Sequence, residues 1–586
     1  MKTLSDRSVE EEEERWTLRA ADPARARAFA SALGVSEVVA SLLIARGVET
    51  EEDARAVLKP SFDQLHDPSL MLGMKESVAR VLQAIDAGER ILIYGDYDVD
   101  GTTGTVVLRR ALQVLGARTG YHIPHRFTEG YGIRRDVLER AHNEGYKLVI
   151  SVDCGIRAFE PLEWARDAGL DVIVTDHHLP DADEGSPPAF AVLNPNQRDC
   201  PYPDKNLAGV GVAFKLAHAL FRERGREGQV SGFLKVVAIG TVADVAQLVG
   251  ENRAIVALGL ADLQHVSNHG LRALLEVSGV DDGRDMRASD LGFRVGPRIN
   301  AAGRMDAARA VVELFESKSK EEARRLATQL DAHNRERQGV QRQITERAVA
   351  ELEFGGVGES PIAVVAGEGW HRGVIGLAAS KIVEKINRPA IVISLDEDGT
   401  GHGSARSTED FHLLDALTAC ADLFVSFGGH AHAAGLVVRR ENIPELRRRL
   451  NEYAARFPRA EGDGVVPRLR ADMELPAESL SLELFDELCA LEPFGAGWPR
   501  PVFLTRSLHV VGEARVIKER HLKFGVAAPG GRVHDAIWWG GTEKASATPR
   551  AGQSIELAYT VESNTWNGTT RLQLEVQDLK AVNRES

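Results

Sequence analysis

Short apolar runs, each closed by a polar cluster, recur through the first third of the chain. Ile91-Leu-Ile-Tyr94, Lys147-Leu-Val-Ile-Ser151 and Asp171-Val-Ile-Val-Thr175 are continuous enough to be buried parallel strands, and a helical pattern over 105–115 follows the first. Strands that alternate with helices predict a doubly wound parallel sheet, whose ligands bind beyond the carboxyl ends of the strands. All three polar clusters fall at that edge. Ahead of the sheet, residues 16–87 read as short helices broken at Gly47, Pro60 and Pro68.

From Glu321 to Glu353 the pattern becomes one long charged helix. Its thin apolar stripe (Leu326, Leu330, Val340, Ile344, Ala348, Leu352) suits a connector between lobes. A second α/β unit follows, with strands over 362–365 and 390–394, a helix over 373–385 and a glycine-rich segment over 428–435. Beyond Gly464 the signal turns to strands over 508–511, 521–527, 533–539, 554–561 and 571–576, with Asn567-Gly568 as a hairpin turn. That set predicts a small barrel of the OB type. The expected fold class is α/β. An N-terminal helical region (1–87) packs on a parallel-sheet lobe (88–315). A connector helix (316–355) leads to a smaller α/β domain (356–460) and an OB-fold barrel (465–586).

Composition narrows the class. Cys154, Cys200, Cys420 and Cys489 lie far apart with no CxxC pair, which suits a reducing cytoplasm and argues against a disulfide framework or thiolate zinc site. No run of about 18 apolar residues occurs, so no membrane span is expected. Met1-Lys-Thr-Leu, followed soon by Glu10–Glu14, lacks the apolar stretch of a signal peptide, so the expected location is cytoplasmic. A net charge of −15 argues against a basic coat for nucleic acid but leaves room for a locally charged groove.

Chemistry gathers at the strand ends. Gly95-Asp-Tyr-Asp-Val-Asp-Gly101 sets Asp96, Asp98 and Asp100 at alternate positions, which point the same way on an extended segment. Carboxylates so gathered repel one another, and a divalent cation is the usual compensation. A solvated acidic turn is an equal alternative for this segment alone. Asp153 in Ser151-Val-Asp-Cys-Gly155 and the cluster Thr175-Asp-His-His178 repeat the placement. One of His177 and His178 can bind metal and the other meet substrate, with Asp176 orienting a ring. Singly, an N-capping Asp or a surface His pair explains them as well. Asp244 closes Gly240-Thr-Val-Ala-Asp244 after the apolar run 236–239. Four such clusters at one edge of one sheet point to a metal centre.

In this order GDYDVDG, SVDCG, TDHH and GTVAD resemble the motifs of the DHH phosphoesterase superfamily. Segments 296–304 (GPRINAAGR), 330–338 (LDAHNRERQ), 369–376 (GWHRGVIG), 403–407 (GSARS) and 428–435 (GGHAHAAG) resemble its RecJ-type branch, which carries a DHHA1 domain. The likeness runs from about Trp16 to about Leu579. It implies two divalent ions, Mn²⁺ or Mg²⁺, held by Asp98, Asp100, Asp153, His177 and Asp244, with Asp153 bridging. Asp96 is then a further acidic group of the site, and His178 a contact to the scissile phosphate. Oxygen-rich ligands with one or two imidazoles suit those ions better than zinc. The implied mechanism is in-line attack by water activated between the ions, with no protein nucleophile. Tyr94 stands where the wider superfamily has the His of HxxxDxD, so Asp96 or water completes one metal shell, and the metal preference stays open.

The resemblance further implies that Ser404 and Arg406, with Arg298 or Arg304, hold a terminal 5′ phosphate, with Gly429, His430 and His432 donating from the glycine-rich segment. Taken alone, each arginine is more simply a surface salt bridge. Residues 284–347 carry more Lys/Arg than Asp/Glu, and Arg324, Arg325, Arg335, Arg337 and Arg342 decorate the connector. Phe524, Trp538, Trp539, Tyr559 and Trp566 are candidate stacking surfaces in the barrel, some of which alternation must place in its core. The implied function is 5′→3′ hydrolysis of single-stranded DNA to mononucleotides in repair and recombination. The enzyme would be a monomer working beside a single-stranded-DNA-binding protein and a helicase. The alternatives are a phosphodiesterase for short oligonucleotides or cyclic dinucleotides, which needs no barrel, and an inert DNA-binding scaffold, which has no need of the full carboxylate set.

Overall fold

The computed structural model describes residues 16–19, 21–280, 285–305, 307–354, 360–457, 469–545, 548–566 and 568–582. Glu10–Glu14, Gly464, Asn567 and the side chain of Trp566 lie outside that description.

The first lobe is built on five parallel strands, β1 (Arg90–Tyr94), β2 (Arg118–His122), β3 (Tyr146–Ser151), β4 (Asp171–Thr175) and β5 (Ala191–Leu193). Their spatial order is β2-β1-β3-β4-β5. The order reverses between β1 and β3, so a crevice opens at their carboxyl ends. The strand interiors are fully buried and apolar (Ile91, Ile93, Leu148, Ile150, Ile173), as a sheet covered on both faces requires.

The helix Lys320–Phe354 joins the lobes by dividing its stripe. Ala323, Leu326, Ala327 and Leu330 enter a core of the first lobe, whereas Ile344, Ala348 and Leu352 enter the core of the second domain. That domain carries β6 (Ala363–Glu368), β7 (Ala390–Leu395), β8 (Thr400–Arg406), β9 (Phe424–Gly429) and β10 (Ala433–Arg439), ordered β9-β10-β8-β7-β6. The barrel consists of β11 (Phe503–Ile517), β12 (His521–Ala527), β13 (His534–Trp538), β14 (Ser554–Trp566) and β15 (Thr569–Ala581). It closes because β11 pairs with both β12 and β14.

The N-terminal helices depart from expectation. The segment from Phe62 to Ile85 joins the core of the parallel sheet. The helices Pro23–Leu33, Glu37–Ala45 and Glu51–Leu58 share a core with the barrel, where Leu42 and Leu43 lie in one cluster with Phe503 and Leu557. The parallel sheet is already covered by its own crossover helices, so the apolar face of Glu37–Ala45 finds its partner on the barrel. Arg253, buried, donates to the carbonyls of Leu491, Glu492 and Pro493 and fastens the barrel domain to the first lobe. Among the described residues no single helix is long and apolar enough to cross a membrane.

Candidate active site

After β1 the chain turns through Gly95 and enters the helix Val99–Val114, six residues earlier than its pattern predicts. Asp98 is therefore an N-cap, accepting from Gly101 N at 2.9 Å, and Asp100 stands in the first helical turn. Asp96, Asp98 and Asp100 converge through a strand-to-helix turn and not through the pleat of an extended segment. The turn is tight: a Cβ on Gly101 would fall 2.6 Å from the Asp96 backbone. Asp100 accepts from Gly209 N at 2.6 Å and Val210 N at 2.7 Å, the first amides of the helix Gly209–Glu223. A helix N-terminus is a favourable place for a buried carboxylate. Only a glycine fits at 209, because a Cβ would press on Asp153 and Asp100 at 2.7 to 2.9 Å.

Asp153 follows β3 in the left-handed region, φ 63°, with its N–H bonded to Thr175 O. Asp176, fully buried after β4, accepts from the backbone N–H groups of His177 and His178 and from Ile156 N. It also binds His178 Nδ1 at 2.8 Å, which leaves Nε2 of that ring for another partner. Asn194 and Asn196, just past β5, hold the carbonyls of His178 and His177. Asp244 differs from expectation: it caps the C-terminus of the helix Leu234–Ala243 and does not extend a strand of the sheet. The run 236–239 is helical, with Val237, Ala238 and Ile239 buried.

These groups meet. His177 Nε2 lies 3.2 Å from Asp153 Oδ1, 3.7 Å from Asp100 Oδ2 and 3.9 Å from Asp244 Oδ2. Three sets have ligand atoms within 4.8 Å of one another: Asp96, Asp98 and Asp153; Asp100, His177 and Asp244; Asp153, His177 and His178. Buried Asp96 Oδ1 and Asp153 Oδ1 have no hydrogen-bond partner, a costly condition that a divalent cation would relieve. Tyr94 takes no part, its hydroxyl donating to Gly132 O.

Burial, then the charge of Asp98, pushes Asp96 up to about 8 and Asp244 up to about 7. Burial likewise raises Asp100 and Asp153 well above the usual carboxylate range. Burial and neighbouring His178 lower His177 to about 4, so its imidazole is a neutral ligand near pH 7, whereas the bond to Asp176 raises His178. A metal-free fold thus keeps protons that the unfolded chain releases near about 4. The stability linked to them is fully present below that value and lost as pH rises through about 7 and about 8. Adding Mn²⁺ should therefore raise Tm more at pH 8 than at pH 6. Equal rises at both would place the ion elsewhere.

Facing the carboxylates, four arginines converge where the lobes touch. Burial and the charges of Arg126, Arg337 and Arg406 lower Arg304 to about 10, and burial with Arg126 lowers Arg406. Arg304 donates to Gly373 O at 3.0 Å, Arg406 to Ser404 Oγ at 3.2 Å, and Arg337 to Asn334 and Gln341. None of the four has a carboxylate partner among the described residues. Arg298 is not one of them: it pairs with Asp331 at 2.9 Å and pins the connector. Gly429, His430 and His432 form the exposed tip joining β9 to β10, beside Arg406 through the pair Ala433–Arg406. His430 N is bonded to Ala433 O, so that amide is not available to an anion. In the barrel Phe524 (3% exposed), Trp538 (3%) and Tyr559 (0%) are core, and Trp539 is 46% exposed.

Sequence reading missed Arg126, Tyr131, Asn194, Asn196 and Gly209. Tyr131 Oη lies 3.2 Å from both Asp153 O and His178 Nδ1. Arg126 follows β2, and Asn194 and Asn196 follow β5, so the strand-end rule that found the carboxylates extends to them.

Comparison with known proteins bears on the whole chain. Residues 90–241 match the DHH family N-terminal domain, 359–456 the DHHA1 domain and 471–578 the RecJ OB domain. The chain is 38% identical to the single-stranded-DNA-specific exonuclease RecJ of Bacillus subtilis (strain 168), over 96% of this chain and 70% of that protein. It superposes on RecJ of Thermus thermophilus in complex with Mn²⁺ with a TM-score of 0.81, 32% identity, and coverage of 97% of this chain and 80% of the other. The Mg²⁺ complex of that protein gives a TM-score of 0.76 at 30% identity, covering 98% and 79%.

Proposed function

Because the chain belongs to the RecJ family of single-stranded-DNA-specific exonucleases, we propose that it hydrolyses single-stranded DNA from the 5′ end and releases 5′-mononucleotides. The observation that carries this reading is the pairing of a carboxylate–histidine centre with an uncompensated arginine cluster across the interlobe contact. One holds the bond to be cut, and the other fits the terminal phosphate. Two divalent cations, Mn²⁺ or Mg²⁺, would be held by Asp98, Asp100, Asp153, His177 and Asp244, and would neutralise the phosphodiester and lower the pKa of an attacking water. His178, its Nδ1 tied to Asp176, turns Nε2 toward a non-bridging phosphate oxygen and keeps a proton there. Ser404, Arg406, Arg304 and Arg126 fix the end phosphate so that the first internucleotide linkage falls on the centre.

An end pocket makes cutting depend on a free terminus. A linear 5′-phosphorylated strand should be degraded with Mn²⁺ while a closed single-stranded circle of the same sequence persists; loss of both at one rate would rule out end recognition. The reading extends to a monomeric, cytoplasmic enzyme of DNA repair and recombination that acts beside a single-stranded-DNA-binding protein and a helicase.

The barrel would hold the incoming strand. Trp539, exposed and set edge-on to His521 at 4.8 Å, is the candidate to stack on a base. A stacked base contributes about 1–3 kcal/mol. Trp539→Ala should therefore raise KM about tenfold for a long strand and leave a trinucleotide unaffected. Steady-state kinetics on the two substrates checks this.

A further inference from the structure

The arginine cluster opens onto a second space. A cavity of about 450 Å³ lies over the carboxyl end of β2, lined among others by Tyr97, Tyr121, His122, Arg126, Arg140 and Arg309. Arg126 belongs to both. Its guanidinium covers the ring of Tyr97 at 4.8 Å, and its charge acts on Arg304 and Arg406. Gly303, the neighbour of Arg304, forms part of the same wall, and a Cβ there would fall 2.2 Å from Tyr97 O.

The charges in this cavity are unusual for so acidic a chain. Arg126, Arg140 and Arg309 have no carboxylate partner among the described residues, whereas Arg134 and Arg135, on the segment that leads to Arg140, are each paired. Arg309 lies over the ring of Tyr121 at 5.6 Å. Of the two glutamates on the wall, Glu129 is held by His122 at 2.7 Å; Glu144 is the other. Three arginines against two glutamates leave this polar space with an excess of positive charge, and Arg126, shared with the site for one phosphate, makes further phosphates a better fit than a base.

We propose that this cavity receives the outer phosphates of a 5′-triphosphorylated single strand, so that the enzyme accepts triphosphate ends without prior trimming. The proposal rests on reading the arginine cluster as the end-phosphate pocket. The α-phosphate would stay in the cluster, and the β- and γ-phosphates would pass Arg126 toward Arg140 and Arg309. One water is consumed. Its oxygen bonds to the phosphorus of the first internucleotide linkage, the P–O3′ bond breaks and the 3′ oxygen takes a proton. A nucleoside 5′-triphosphate leaves, and the shortened strand carries an ordinary 5′ phosphate.

The test uses the full chain with Mn²⁺ and one short strand bearing a 5′-hydroxyl, 5′-phosphate or 5′-triphosphate. The expected result is a KM for the triphosphate no higher than for the monophosphate, with nucleoside triphosphate as the first product by mass spectrometry. The double variant Arg140→Ala, Arg309→Ala should raise KM about tenfold for the triphosphate strand alone. Exclusion of the triphosphate strand, a nucleoside monophosphate as its first product, or an equal effect of the double variant on both strands would overturn the proposal. If the monophosphate strand also resisted cutting, the nuclease reading itself would fall.

Discussion

Asp153→Asn is expected to lower turnover on a 5′-phosphorylated strand by about 10³-fold or more, roughly 4 kcal/mol of transition-state stabilisation, with the fold intact. Asp153 is shared by two of the three ligand sets, so its loss weakens both halves of the centre. Asn is the informative replacement because position 153 has φ 63°, a conformation that Asn tolerates and Ala does not. An amide also removes a buried charge that lies among Asp96, Asp98, Asp100 and Asp176. Metal-free Asp153→Asn should then melt at or above the temperature of the metal-free parent at pH 8, while the rise in Tm on adding Mn²⁺ shrinks. Loss of activity with a retained metal-induced rise would remove Asp153 from the centre. A fall in the metal-free Tm would mean that the residue serves the fold.

Three of the five strands of the catalytic sheet, β1, β3 and β4, are legible to within a residue because their apolar runs are unbroken, and the family motifs fall at their ends; β2 (Arg-Thr-Gly-Tyr-His) and the three-residue β5 carry no such run. Helix starts were harder. Val99-Asp-Gly-Thr-Thr-Gly104 has poor intrinsic helicity and is helical through tertiary contact. Its glycines permit close approach, since a Cβ on Gly104 would lie 2.5 Å from Val152. A four-residue apolar run such as 236–239 suits a strand or a buried helix equally, which is why the element that carries Asp244 is not legible in the sequence. Between Arg298 and Arg304, six positions apart on one helix and so on different faces, no sequence pattern could choose. The destination of the first three helices was equally hidden, because an amphipathic face declares that it is buried without naming its partner.

Arg406→Ala is expected to erase the preference for a 5′ phosphate. It should lower kcat/KM on a 5′-phosphorylated strand by roughly 10- to 100-fold, the worth of one or two charge-assisted hydrogen bonds at about 1.5–3 kcal/mol. The rate on a 5′-hydroxyl strand should hardly change. Arg406 is positioned for this by its bonds to Ser404 Oγ and Ala405 O, with Gly376 leaving room beside it. In the free protein it is set against Arg126 and Arg304, so its removal relieves repulsion and Tm should hold or rise slightly. The loss would then belong to anion binding and not to folding. Inorganic phosphate should raise the Tm of the parent more than that of the variant, by mass action on a site the variant has lost. Arg406→Lys should fall between the two, keeping the charge but not the planar fork. An unchanged ratio of rates on 5′-phosphate and 5′-hydroxyl strands would place the end pocket elsewhere on the protein.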